Sequence, residues 1–165
     1  MDNPKARVRR TRNRGRGVFA IADIRAGEVI AEFDGPVYDD SFDAWTDDLL
    51  HHAVQFDTTK WRDSLGFARL INHSCTPNCG IKRRFRVVAM RPIAKGEEIT
   101  WDYEMTERSW RWRMKCRCGS PECRGVIGSY SRMPARVRRR YKGFISSWLT
   151  RRSRRRRGSA GRAPR

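Results

Sequence analysis

Apolar positions along this chain fall in short clusters separated by Gly, Pro and acidic punctuation, with few long helical stripes. Val18-Phe19-Ala20-Ile21, led in by Arg14-Gly15-Arg16-Gly17, reads as a Gly-rich turn entering a strand. A second strand is expected from Glu28 to Phe33, set off by Ala26-Gly27 and closed by Asp34-Gly35-Pro36. A third should run through Phe85 to Met90, after which Lys95-Gly96 turns the chain into another extended segment, Glu97 to Tyr103. Turn signals this close together predict small β-sheets, not βαβ units, so the fold class is mainly β with some helix (α+β).

Two stretches change period. Phe42, Trp45, Leu49 and Ala53 recur at helical spacing behind Ser41, predicting a helix over 42–53 with Ser41 as its N-cap. Its other face is acidic (Asp43, Asp47, Asp48, with Asp39 and Asp40 just ahead), which suits either plain solvation or a landing site for a Lys/Arg-rich substrate. Val137, Tyr141, Phe144, Ile145, Trp148 and Leu149 predict a second amphipathic helix over 135–149. The rest, 150–165, with Arg154 to Arg157 in a row, is expected to be disordered.

Charge divides the 165 residues further. The formal charge of +19 is carried by the ends: residues 1–16 hold a net of +6 and 131–165 a net of +14, leaving 17–130 at −1. Any nucleic-acid contact therefore belongs to the ends, chiefly the Arg-rich tail, in which Lys142 is the one lysine after Lys115. Residues 1–14 read as a basic arm, disordered or bound at a sheet edge. No stretch has the apolar length of a membrane span and no apolar signal segment opens the chain, so an intracellular protein with no membrane partner is expected.

The chemistry concentrates in three places. The apolar run Leu65 to Ile71 feeds directly into Asn72-His73-Ser74-Cys75, whose polar groups need partners once the run is buried. Cys116-Arg117-Cys118-Gly119-Ser120-Pro121-Glu122-Cys123 packs three thiols into eight residues, the pattern of a zinc knuckle one ligand short. Cys75, Cys79, His51, His52 and His73 could each supply the fourth ligand. The third place is Gly96-Glu97-Glu98-Ile99-Thr100-Trp101-Asp102-Tyr103.

Together these segments resemble the SET-domain protein-lysine methyltransferases. Arg69 to Cys75 is similar to the family's R-F-I-N-H-S-C, and Gly96 to Tyr103 to its G-E-E-L-T-x-D-Y. Arg14 to Val18 matches the Gly-x-Gly motif, Glu32-Phe33-Asp34-Gly35 stands where the family has E-Y-x-G, and Cys116 to Gly128 looks like the zinc-binding post-SET element. The resemblance divides the chain into a basic arm (1–13), a SET domain (14–112), a post-SET element (113–130) and an Arg-rich tail (131–165).

It implies small sheets around a knot-like crossing, S-adenosylmethionine as donor and a lysine-containing, basic, histone-like or chromatin-associated protein as substrate. Tyr103 would be the catalytic tyrosine. Arg16, Gly17, Arg69, Asn72, His73 and Tyr103 would bind the donor. Cys75, Cys116, Cys118 and Cys123 would bind Zn2+, leaving Cys79 a spare thiol. Phe33, Phe85, Trp101, Trp110 and Trp112 are candidate walls of a lysine channel. Phe33 replaces a common tyrosine, and Trp101 stands where relatives carry Phe or Tyr, so a tighter channel and mono- or dimethylation are expected. The competing reading is a zinc-stabilised nucleic-acid-binding protein with an inactive methyltransferase fold.

Overall fold

A computed structural model of the chain describes residues 1–150. β1 (Ala6–Arg10) and β2 (Arg16–Ala20) form an antiparallel hairpin. β3 (Val29–Glu32), β4 (Val37–Asp39), α1 (Asp47–His52), β5 (Val54–Asp57) and β6 (Lys60–Arg62) follow. After a 3-10 turn at Phe67–Leu70 come β7 (Asn72–His73), β8 (Cys79–Lys82), β9 (Arg86–Ala89), β10 (Glu98–Trp101) and a second 3-10 turn at Tyr103–Met105. β11 (Met114–Lys115), β12 (Val126–Ile127), a 3-10 turn at Tyr130–Arg132, α2 (Ala135–Arg140) and α3 (Ser147–Thr150) complete the described chain.

The strands make small sheets in the orders β1-β2-β10-β7, β3-β9-β8 and β4-β6-β5, with β11 and β12 paired separately. β10 sits in the middle, antiparallel to β2 and parallel to β7. It is also flanked by a side chain acting as a strand substitute: the buried Asn78 amide donates to the Glu98 carbonyl (2.9 Å) and its oxygen accepts the Thr100 N–H (2.9 Å). Val18, Ile30, Phe33, Ile81, Val87 and Ile99 fill the core between the sheets. The segments expected to cross are thus neighbours, with Thr100 beside Asn72 and Trp101 beside His73.

Of the two readings of the N-terminal arm, the structure has the edge-bound one, as strand β1. Two helix expectations change. The helix expected over 42–53 is only α1, and Thr46, not Ser41, caps it by accepting the Leu49 N–H. Ser41 is held instead by the Asp39 carboxylate, while Phe42 and Trp45 turn back onto Tyr38 in an aromatic cluster that Trp61 completes. Burial of those rings overrides the helical period.

The helix expected over 135–149 is two short pieces, broken where Gly143 takes a left-handed φ of 85°. These pieces belong to the body. Val137, Tyr141 and Ile145 are buried in the main core, and the Phe144 carbonyl accepts the Ile81 N–H at 2.8 Å. The disorder expected for 150–165 falls, apart from Thr150 at the end of α3, outside the described residues.

Candidate active site and metal centre

Gly17 opens the site. A Cβ there would lie 2.6 Å from Glu98 Oε1 and 2.7 Å from Asn72 Nδ2, so only glycine lets Asn72 approach. The Asn72 amide then donates to the Arg16 carbonyl (2.9 Å) and to Glu98 (2.8 Å). Arg14 closes the same corner by pairing with Glu98 and donating to the His73 carbonyl at 3.1 Å. Arg14 and Glu98 lay inside segments already picked out by pattern, but nothing in their local spacing marked them as a pair. Asn13, Arg14, Asn72, His73, Tyr103, Met114, Lys115, Arg117 and Cys118 line a cavity of about 370 Å³.

His73 is buried, and burial lowers its pKa to about 4, with Arg124 and Arg14 adding to the effect against the opposing pull of Asp102. The ring is therefore neutral. Its Nδ1 accepts the Tyr103 N–H at 3.3 Å, which assigns the ring proton to Nε2, 3.3 Å from Cys75 Sγ. The 3.6 Å approach of Nδ1 to Asp102 is accordingly no ion pair. Asp102 is wholly buried and pairs with Arg124 through two bonds of 2.7 and 2.8 Å. Arg124 lies between Cys123 and Gly125, so this pair ties the knuckle to the residue preceding Tyr103.

The ligand atoms of His73, Cys75, Cys116 and Cys118 all lie within 4.8 Å of one another. Cys123 falls outside that set, although its thiol perturbs the titration of both Cys116 and Cys118. The donor set fits zinc: soft sulfurs converge, and backbone N–H groups of Arg124 and Gly125 point at Cys75 (3.4 Å) and Cys123 (3.5 Å). Burial alone would raise the Cys118 thiol, but backbone N–H groups and neighbouring thiols bring it down to about 7. With its Nε2 protonated, His73 donates to Cys75; the converging group therefore holds His73 where the sequence led to the expectation of Cys123. Cys79 is enclosed in the main core, its thiol pushed well up by burial. His51 and His52 are on α1, each bonding a carbonyl four residues back.

On the other side of Tyr103 lies a second cavity of about 370 Å³, walled by Phe33, Trp45, Trp61, Trp101 and Trp112, with Asp40 and Glu107 among its polar lining. Three of the five candidate channel walls are there. Phe85 packs on Phe56 under Arg62 instead, and Trp110 is 67% exposed. Arg69 also lines this second cavity, pairing with Asp48 and Asp63, and is absent from the lining of the Asn72–His73 side. Tyr103 is the one residue common to both cavities among the described residues. Its hydroxyl donates to the Ile71 carbonyl at 3.0 Å, and burial raises its pKa far above the usual phenol value.

One aromatic-walled cavity and one polar cavity thus meet at a single tyrosine, beside a thiol cluster. The model of the SET domain matches residues 15–104. The chain belongs to the SET-domain family. It is 31% identical over 137 residues to the histone-lysine N-methyltransferase ash1 of Drosophila melanogaster, covering 73% of this chain and 6% of that protein. It is 33% identical over 146 residues to the H3 lysine-36 specific histone-lysine N-methyltransferase of Saccharomyces cerevisiae, covering 76% and 19%. Among solved structures, that of KRYPTONITE in complex with mCHH DNA, an H3(1-15) peptide and SAH superposes with a TM-score of 0.59 at 25% identity, covering 73% of this chain and 29% of that one. The chain thus spans only a small part of the relatives it matches. Among the described residues no helix is long and apolar enough to cross a membrane.

Proposed function

We propose that this chain transfers methyl groups from S-adenosylmethionine to a lysine of a basic, histone-like protein inside the cell. The observation that carries the reading is the position of Tyr103 between two cavities. A donor bound on the Asn72–His73 side and a lysine inserted from the aromatic side would meet at its ring. Arg16, Gly17, Asn72 and His73 fit the donor, and Arg14 joins them; Arg69 is reassigned to the substrate side, where it shapes the acidic rim with Asp48 and Asp63. When bound, the donor supplies an electrophilic methyl group on a sulfonium.

The chain's own residues supply alignment and desolvation. A free lysine side chain has a pKa near ~10.4 and must be neutral to attack. The aromatic walls exclude water and favour the neutral amine. Tyr103 stays protonated and bonded to the Ile71 carbonyl, so it acts as a fixed dipole, not as a base. Zn2+ on Cys75, Cys116, Cys118 and Cys123 would hold the knuckle against the site, and the Arg-rich tail would add nucleic-acid affinity near chromatin.

The test is transfer of labelled methyl to whole-cell protein and to histone-like peptides, wild type against Tyr103→Phe. The variant should bind donor normally and lose about 10²-fold or more in transfer. Equal labelling by both, or none by either, would sink the proposal.

A further inference from the structure

The β1–β2 hairpin carries charge that methyl transfer does not use. Its five cross-strand pairs run from Ala6–Ala20 to Arg10–Arg16. Ala6 is buried, but Arg7, Val8, Arg9 and Arg10 are exposed on both faces of the strand, as are Arg12 and Arg16. Arg10 and Arg16 face each other directly, a like-charge pairing that works against the hairpin. Among the described residues, Arg7, Arg9, Arg10, Arg12 and Arg16 form no ion pair, whereas Arg14 is committed to Glu98. Four of the free guanidiniums, those of Arg9, Arg10, Arg12 and Arg16, line a concave patch of about 650 Å³ with no acidic residue in its lining.

An edge strand needs a charge or two to block unwanted strand pairing. Five unpaired arginines, four of them gathered around one hollow, exceed that need.

We propose that this hairpin is a nucleic-acid-binding surface that grips the phosphate backbone, separately from the Arg-rich C-terminal segment. Guanidinium forks match phosphate oxygens through paired N–H donors, and a bound phosphate would relieve the Arg10–Arg16 repulsion. A lipid surface fits less well, because Val8 is the hairpin's one exposed large apolar side chain and nothing else there could insert. The body between the basic ends, with its net of −1, adds no competing positive field. The contacts are to phosphate, so binding is independent of base sequence.

The test measures binding of the full chain to a labelled DNA duplex by anisotropy across a salt series, beside anionic phosphatidylserine vesicles. One variant carries Arg7→Gln, Arg9→Gln, Arg10→Gln and Arg12→Gln; Arg14 and Arg16 are left alone because they border the donor side. A second replaces Arg151, Arg152 and Arg154 to Arg157 by Gln. The tail variant should keep measurable, salt-dependent binding. The hairpin variant should lose about 0.9 in the slope of log affinity against log salt for each arginine that meets a phosphate, about 2 to 4 in all, and at least about tenfold in affinity at 0.1 M salt. Its melting temperature and its transfer to a free peptide should not change. An unchanged slope, complete loss of binding in the tail variant, or vesicle binding as strong as duplex binding would each overturn the proposal.

Discussion

At the scale of single residues, the site depends on side chains that leave no slack. Gly17 gives way to nothing larger, because a methyl group would overlap Asn72 and Glu98, and neither end is free to move while Arg14 holds Glu98. Gly17→Ala should therefore weaken donor binding by about tenfold or more, the effect of a few kcal/mol of overpacking, with little change in melting temperature; calorimetric titration with S-adenosylmethionine measures both arms. Trp101 is the second such position. It is buried at 3% exposure between Phe33 and Tyr103, and its indole N–H has no hydrogen-bond partner. If the aromatic cavity takes the lysine, this bulky ring would leave less room for an alkylated amine than Phe would. Wild type should stop at mono- or dimethyl-lysine, and Trp101→Phe should shift product toward trimethyl-lysine, read by mass spectrometry of a substrate peptide. The convergence of Asn72, His73, Tyr103 and the thiols was legible in the sequence, since they sit in short dense motifs. The pairing of Arg69 with Asp48 and Asp63 was not, because nothing in its own motif points to those carboxylates.

At the scale of elements, the knuckle and the β10 segment behave as one unit. Met114, Lys115, Arg117 and Cys118 form about half of the lining of the Asn72–His73 cavity, so that wall exists only while the knuckle is docked. Docking rests on Cys75, which reaches Cys116 at 3.8 Å, and on the buried Arg124–Asp102 pair. Cys116→Ser, or removal of metal with a chelator, should loosen 113–128 while the three larger sheets persist. Hydrogen exchange should rise across 113–128 and not in β8 and β9, and donor affinity should fall by about tenfold or more. Loss of protection throughout the chain would show instead that the metal holds up the whole fold. Sequence pattern read the strands with strong apolar runs, β2, β3, β9 and β10, and missed the β4-β6-β5 sheet. Its strands are three or four residues long and mix Asp, Lys and Gln with aromatics, so neither alternation nor turn signals separate them from the helical period of Phe42 and Trp45.

At the scale of the molecule, the C-terminal boundary decides what the basic tail can be. Charge alone places the tail's start at 131, because 131–165 hold fourteen Lys/Arg and no acid. Packing instead draws residues up to 150 into the body. Val137, Tyr141 and Ile145 are in the main core, the Tyr141 hydroxyl donates to the Cys75 carbonyl at 3.3 Å, and Trp148 donates to the Thr106 carbonyl at 3.1 Å. Thr106 lines the aromatic cavity, so these last turns buttress that cavity as well as the thiol cluster. Burial of three such side chains is worth about 1.5–3 kcal/mol each, a sum comparable to the whole stability of a domain this size. A chain ending at 133 should therefore fail to fold or melt far below the full chain. A chain ending at 150 should match the full chain in melting temperature and in methyl transfer to a free peptide, and lose only the nucleic-acid affinity carried by 151–165. Thermal denaturation of the two truncations checks this; equal melting of both would mean that α2 and α3 contribute nothing to the core.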